Sequence, residues 1–367
     1  MKVRVALLIS IVFGINIIGL IALSSASIAA VNSSFILKQL TAQGIALIMC
    51  YFCAKFPLRW LYRSRNLLLF ISIIALIVVL IPGIGKTVNG SRRWIPIAGF
   101  NLQVTEFAKI AMIIWLAGYI HDYHDNLQFF IDGFVVPLSV CCFFALFIIL
   151  EPDYGTTFLV IVTAALMLYL SGINWKFLLF SGAFGCIFFV FLLYLSPVRF
   201  RRLTSFFFVE DNRFDATYQL WQSLICFASG GLWGTGIGLS RQKLSYLPEA
   251  HTDFIFSIIG EEFGVIFAIA LLFLFALFMI IALNGVFLKK DHFSRSLGYG
   301  ATIIITLQAL INTAMVSGCC PTKGMALPFI SYGGSNLIAM YILVGLIINC
   351  LNSNDMEDVF YGSRVRF

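Results

Sequence analysis

Val265 to Leu283 is apolar at every position, and no charge interrupts Ile71 to Ile81. Runs of this kind suit the bilayer, where about 20 apolar residues make one helical crossing with every backbone group bonded internally. Comparable runs at about 5–23, 36–56, 67–84, 107–120, 134–150, 155–171, 177–196, 254–285, 299–317 and 335–351 predict ten spans, the second being the weakest because of its polar residues. The first follows Met1 to Arg4 as a signal peptide's apolar segment would, but it is longer than the roughly 7–15 residues usual there, so it reads as a span. A transmembrane barrel would need short stretches of alternating polarity instead. The expected fold is an all-α integral membrane bundle forming one domain over 1–367, since no repeat or low-complexity segment divides it. With 60% hydrophobic and 11% charged residues, against roughly 45–50% and about 25% in soluble domains, a soluble enzyme is excluded.

Orientation follows from Lys and Arg in short loops, which favour the cytoplasm. With the amino end inside, the inner segments hold twelve: Lys2, Arg4, Lys55, Arg59, Arg63, Arg65, Lys176, Lys289, Lys290, Arg295, Arg364 and Arg366. The short outer loops hold five, Lys38, Lys86, Arg92, Arg93 and Lys323. Both termini are then cytoplasmic. The long loop between the seventh and eighth spans, about 197–253, falls outside and adds Arg199, Arg201, Arg202, Arg213, Arg241 and Lys243. That brings the outer count to eleven against twelve, so either the outer positive charge, within a net charge of +7, serves an anionic partner, lipid headgroups or a charged substrate, or the topology is inverted. No nucleic-acid partner is expected. Within the loop, Tyr218 to Phe227 suits a short interfacial helix, and Gly230 to Gly238 supplies permissive backbone.

Polar residues that could carry chemistry concentrate on the outer side. Arg92, Arg93 and Trp94 pair two guanidinium groups with an aromatic ring, fit either for phosphate and sugar contacts or for interfacial anchoring. Glu106 and Lys109 share one helix face at the start of the fourth span. Ionisable groups at membrane depth are functional candidates, although the pair can also neutralise itself. Glu151 and Asp153 cap the fifth and sixth spans, as a helix start or a cation site. Glu249, His251 and Asp253 precede the eighth span, where a partly dehydrated carboxylate can act as a base; Thr252 or Asp253 can equally be a helix cap. If the helix begins at Asp253, Glu261 lies about 80° round and roughly 12 Å along it. The segment Pro321 to Ser335, with Lys323 and Ser331, has the Pro, Gly and hydroxyl content of backbone lining a cavity. His121-x-x-His124 with Asp122 and Asp125 reads as a solvated inner loop or a cation site, and all nine cysteines read as core packing.

Taken in this order, the Gly90-Ser91-Arg92-Arg93-Trp94 loop, the Tyr246 to Phe256 stretch, Pro321-Thr322-Lys323-Gly324 and Ile330-Ser331-Tyr332-Gly333-Gly334 resemble the SEDS family of bacterial cell-wall polymerases, which includes FtsW, RodA and SpoVE. The Tyr246 to Phe256 and Pro321 to Gly324 stretches are more FtsW-like than RodA-like. Two positions depart from the family pattern: Val104 stands where a proline is usual, and Asn336 where a serine is. The resemblance implies a ten-span peptidoglycan glycosyltransferase of the bacterial inner membrane using lipid II at its outer face, acting at the division septum with a class B penicillin-binding protein and other division proteins. It assigns Asp253 as the general base. Arg92, Arg93, Trp94, Glu106, Lys109, Asp153, Gln219, Glu249, His251, Lys323 and Ser331 are expected around the substrate, with a divalent ion, Mg or Mn, as a candidate cofactor. The competing readings are a RodA-like polymerase for elongation, a lipid II flippase and an inactive division scaffold.

Overall fold

The computed structural model describes residues 1–29, 34–88, 91–97, 100–180, 182, 204–215, 217–243 and 247–353. The chain runs α1 (Lys2–Ala29), α2 (Ser34–Lys55) and α3 (Leu58–Leu80), then strands β1 (Lys86–Val88), β2 (Ser91–Ile97) and β3 (Phe100–Gln103). It continues with α4 (Val104–Asp122), α5 (Val136–Leu150), α6 (Tyr154–Leu170), α7 (Tyr218–Gly230), α8 (Ile255–Phe263), α9 (Val265–Phe287), α10 (His292–Val316) and α11 (Gly334–Asn352). Among the described residues, eight helices are long and apolar enough to cross a membrane, and α6 is a shorter apolar helix. The expected seventh span, 177–196, lies almost entirely outside the described residues.

Polarity sorts the helices. α4, α10 and α11 are mostly enclosed by protein, whereas most of α2, α3 and α9 faces outward. The enclosed helices carry Glu106, Lys109, Gln308, Asn312 and Asn336, all buried. In hydrocarbon such groups would be costly, so they turn inward and find one another. Of the eight described cysteines, Cys142 and Cys319 are exposed, which corrects the expectation that all pack in the core.

The start of α1 and the end of α11 share one face of the bundle. A Cβ on Gly285 would lie 2.6 Å from Leu351 Cδ2 and 3.7 Å from Arg4 Cδ, so the start of α1 meets the ends of α9 and α11. Arg65 and Tyr62 both bond Asp122, and His121 faces Asp291, Nδ1 to Oδ1 3.5 Å. His124 stacks on His292 with ring centroids 3.4 Å apart. In the expected solvated histidine loop, Asp122 and Asp125 are exposed, while His121 and His124 are half-buried against the start of α10. Among the described residues no three His, Cys, Asp or Glu side chains group as metal ligands, here or elsewhere.

Two features at the opposite end depart from the sequence reading. The loop after α3 forms an antiparallel sheet in the order β1-β2-β3, so the fold is helical with one small sheet. The eighth span begins at Val265 rather than 254, because Gly264 (φ 86°) breaks the helix. α9 alone, with 23 residues, reaches about 34 Å, enough to cross. α8 is therefore a separate short helix ahead of the span, and its N-cap is Phe254, with no side-chain capping bond. Asp253 is not the cap, and the helical geometry relating it to Glu261 does not apply.

The glycine run closes the break. Thr235 and Gly236 N–H donate to Glu261 and Glu262 carbonyls, while Val265 and Ile266 N–H donate to Gly231 and Leu232 carbonyls. A side chain at Gly234 (φ 83°) would meet the Glu262 carbonyl oxygen at 2.3 Å. Irregular backbone next to a membrane needs such internal partners. The carboxylates of α8 are held as well: Glu262 Oε1 takes Lys243 Nζ at 2.8 Å and the Ser25 hydroxyl, and Glu261 takes Arg241 N–H and the Ser240 hydroxyl.

Candidate active site

β1 pairs Lys86 with Trp94 and Thr87 with Arg92, which leaves Arg93 as the extra residue of a bulge. A bulge re-aims one side chain out of the strand's alternation. Arg93 thereby reaches the α5–α6 turn with its whole guanidinium fork: Nε to Glu151 O (3.3 Å), Nη1 to Asp153 Oδ2 (3.1 Å), and Nη2 to Pro152 O (3.2 Å) and Ser91 Oγ (2.9 Å). Asp153 also caps α6, accepting from Thr156 N–H at 3.0 Å and its hydroxyl at 2.9 Å, so the helix-start reading holds for it. Beside the pair, both Glu151 carboxyl oxygens are buried without a hydrogen-bond partner. Burial first, and then the Asp153 charge, push that carboxyl up to about 8 against the pull of Arg93.

Asp253 is carried by a turn rather than a helix. Glu249 has a left-handed backbone (φ 56°), and its carbonyl accepts from Thr252 and Phe254 N–H. The turn is tied to the segment after α10 in three places. Ser331 Oγ donates to Thr252 O (2.5 Å), Tyr332 N–H donates to His251 O (2.9 Å), and Asn312 Nδ2 bridges Asp253 O and Met325 O at 2.8 and 2.6 Å. A Cβ on Gly324 would sit 2.9 Å from Asp253 Oδ2, so glycine lets the carboxyl lie against backbone. Lys323 extends from the same segment toward α6, its Cδ 3.7 Å from the Cβ position of Gly155 and its Nζ 5.5 Å from the Phe158 ring.

These elements bring Asp253, Glu249, Arg93, Asp153 and Lys323 into one electrostatic field. Burial and then the Glu249 charge push the Asp253 carboxyl up to about 7, with Arg93 opposing and Asp153 adding. Burial lowers the Lys323 ammonium, which Cys320 and Asp153 partly offset. Lys323 makes no ion pair among the described residues, and no hydrogen bond there engages the Asp253 carboxyl. A base close to neutral pH thus sits in the field of the Arg93–Asp153 pair, and Lys323, without an ion pair among the described residues, lies in the field of that same Asp153.

The remaining expected residues fall into place differently. Arg92 bonds Leu80 O (2.9 Å) and Thr87 Oγ1 (3.2 Å), finishing α3 rather than facing Asp253. Trp94 stays beside Arg93, ring centroid to Cζ 6.0 Å. The His251 ring packs by Phe35 (5.0 Å) and Tyr332 (5.8 Å), and burial lowers its pKa, so it braces the turn as a neutral ring. Both bonding directions of the Ser331 hydroxyl are spent, since it accepts from Leu327 N–H as well. Gln219 lies on α7, whose buried face is Leu220, Ser223, Cys226 and Gly230, and no hydrogen bond joins it to Asp253 among the described residues.

Glu106 and Lys109 lie deeper, 5% and 1% exposed. Lys109 Nζ bonds Glu106 at 3.0 Å and Gln308 Oε1 at 3.0 Å; Asn336 Nδ2 gives Glu106 a second partner at 3.0 Å, and Gln308 Nε2 holds Ala326 O at 2.9 Å. The pair is spent on this lattice, which supports the Lys323 segment from below. Gln308 and Asn312 went unnoticed in the sequence. The available signal was two amides four residues apart inside an apolar run, hence on one helix face.

Residues 5–356 match the cell cycle protein family model that groups FtsW, RodA and SpoVE. The chain belongs to that family. It is 35% identical to the probable peptidoglycan glycosyltransferase FtsW of Legionella pneumophila over 366 aligned residues, covering 96% of this chain and 92% of the relative. The corresponding protein of Coxiella burnetii is 37% identical, covering 90% and 91%. Among solved structures, a chain of a peptidoglycan synthase complex that coordinates polymerization and crosslinking superposes with TM-score 0.77 at 22% identity, over 93% of this chain and 96% of that one. The rod shape determining protein RodA of Thermus thermophilus gives 0.68 at 24%, over 94% of each. At such identities the structures bear on the fold, and family membership bears out the resemblance read from the motifs.

Proposed function

We propose that this chain is a peptidoglycan glycosyltransferase that polymerises lipid II at the outer face of the bacterial cytoplasmic membrane during septal wall synthesis. The observation that carries the reading is Asp253, a carboxyl raised to about 7 and without a hydrogen bond among the described residues, in the field of the Arg93–Asp153 pair and packed against Gly324, the neighbour of Lys323. The names of the relatives support the reaction class. Asp253 takes the proton of the acceptor sugar's 4-hydroxyl, whose oxygen attacks the donor's anomeric carbon as the lipid diphosphate departs. The transition state is oxocarbenium-like, and the departing diphosphate gathers negative charge that fixed cations stabilise. Lys323 is the cation with capacity left for a phosphate oxygen, while Arg93 organises the wall with its four bonds. Replacing Arg93 by lysine gives up that planar fork. The expected result is a fall in kcat/KM of about tenfold or more, measured as polymer formed per folded protein.

Among the described residues no three ligating side chains gather, and Asp153 is already shared between Arg93 and the α6 cap. No step is therefore drawn through a metal. A class B penicillin-binding protein is the proposed partner, since polymerisation and crosslinking are coupled in the complex whose chain shares this fold.

The test is polymerisation of purified lipid II by the purified protein with and without that partner, across pH. A flippase makes no polymer. Because Asp253 must be ionised to act, kcat/KM is expected to rise about tenfold per pH unit below an apparent pKa near 7 and level off above it. Rates that stay flat from about pH 5.5 to 8.5 would remove Asp253 as the base.

A further inference from the structure

Asn312 is completely buried near the end of α10. Its amide donates one hydrogen to Asp253 O at 2.8 Å and the other to Met325 O at 2.6 Å. Both partners can only accept, so the reversed amide would set oxygen against oxygen, and the orientation is unique. The two carbonyls belong to different segments, one carrying Asp253 and the other Lys323 and Gly324. An apolar residue would suit this enclosed helix better than an amide whose own oxygen is buried without a partner. What the amide supplies is a fixed distance between the two segments, with Gly324 close against Asp253 Oδ2 as the result.

We propose that Asn312 is a positioning residue for Asp253: it clamps the base-bearing turn to the lysine-bearing segment, so that carboxyl and ammonium face the substrate as one rigid unit. This rests on the reading of Asp253 as the base. Removing the clamp leaves the base present but loosely held, and a misplacement of about 1 Å costs about 10²-fold in rate. A loosened turn also admits water to the carboxyl, which moves its ionisation toward the ordinary carboxylate range.

The experiment measures kcat, KM and the acid limb of the pH profile in lipid II polymerisation for wild type, Asn312→Ala and Asn312→Ser, per folded protein. Asn312→Ala is expected to lose about 10- to 100-fold in kcat with little change in KM, and its acid limb moves to lower pH. Asn312→Ser, which keeps one donor, falls between. A role in folding alone would reduce the yield of folded protein but leave kcat and the limb at wild-type values, and that result overturns the proposal. Where the alanine variant does not fold, the serine variant decides by the same criterion. A wild type with no acid limb overturns the base assignment and this proposal with it, and it is told apart because it appears without any change at 312.

Discussion

Asp253→Asn is expected to cut glycan polymerisation by about 10²–10⁴-fold, the range for loss of a positioned general base, while the protein stays folded. The amide has nearly the carboxyl's shape, and no hydrogen bond of the native carboxyl is lost among the described residues. Stability should shift the other way. The folded-state pKa, about 7, lies above the ordinary aspartate value of 3.8. The folded protein therefore binds more protons than the unfolded chain between those values, and stability falls as pH rises through that window. Asparagine has no charge to desolvate, so the variant should match wild type below about pH 4 and unfold at a higher temperature than wild type above about pH 7. Thermal unfolding in detergent at two pH values checks the second part, and polymer yield checks the first. Polymerisation by Asp253→Asn at the wild-type rate would end the mechanism. A variant that loses activity and also melts earlier at pH 8 would mean that the carboxylate holds the turn together rather than being strained by it.

Much of this arrangement was legible from residue order because membrane helices leave so little choice. Apolar runs marked the helices, and the polar islands between them marked the outer site. Asp253, Arg93, Asp153 and Lys323 were all nameable from position and chemistry. What residue order hid was what each polar group had already been spent on. Arg92 and Arg93 look alike in the chain, and only the bulge in β2 sends one back to α3 and the other to Asp153. The break at Gly264 was hidden inside 254–285, which reads as one span in spite of Glu261 and Glu262, since the glycine's left-handed backbone matters only once the 230–238 segment lies across it. The two departures from the family pattern also become intelligible. Val104 opens α4, where proline is favoured but not required, and Asn336 supplies the donor that Glu106 receives from α11.

Lys109→Met is expected to destabilise the protein by about 3–5 kcal/mol, because removing one member of a buried ion pair leaves the other charged and uncompensated. The Glu106 carboxylate would keep only Asn336, and Gln308 Oε1 would lose its donor. Loss of the monodisperse folded species on heating in detergent is the readout. The double variant Glu106→Gln/Lys109→Met removes both charges, and a buried pair exchanged for uncharged residues of similar volume is often neutral in stability, so most of the loss should be recovered. That recovery separates a self-neutralising pair from two independent contributions, which would add. The double variant also asks what the pair is for. With Gln308 Nε2 still on Ala326 O and Asn312 Nδ2 on Met325 O, the Lys323 segment keeps its ties to α10, and polymerisation should persist at a reduced rate. A double variant that folds like wild type yet makes no polymer would place the Lys109 charge in the reaction itself, reaching the diphosphate from below rather than holding up the segment that does.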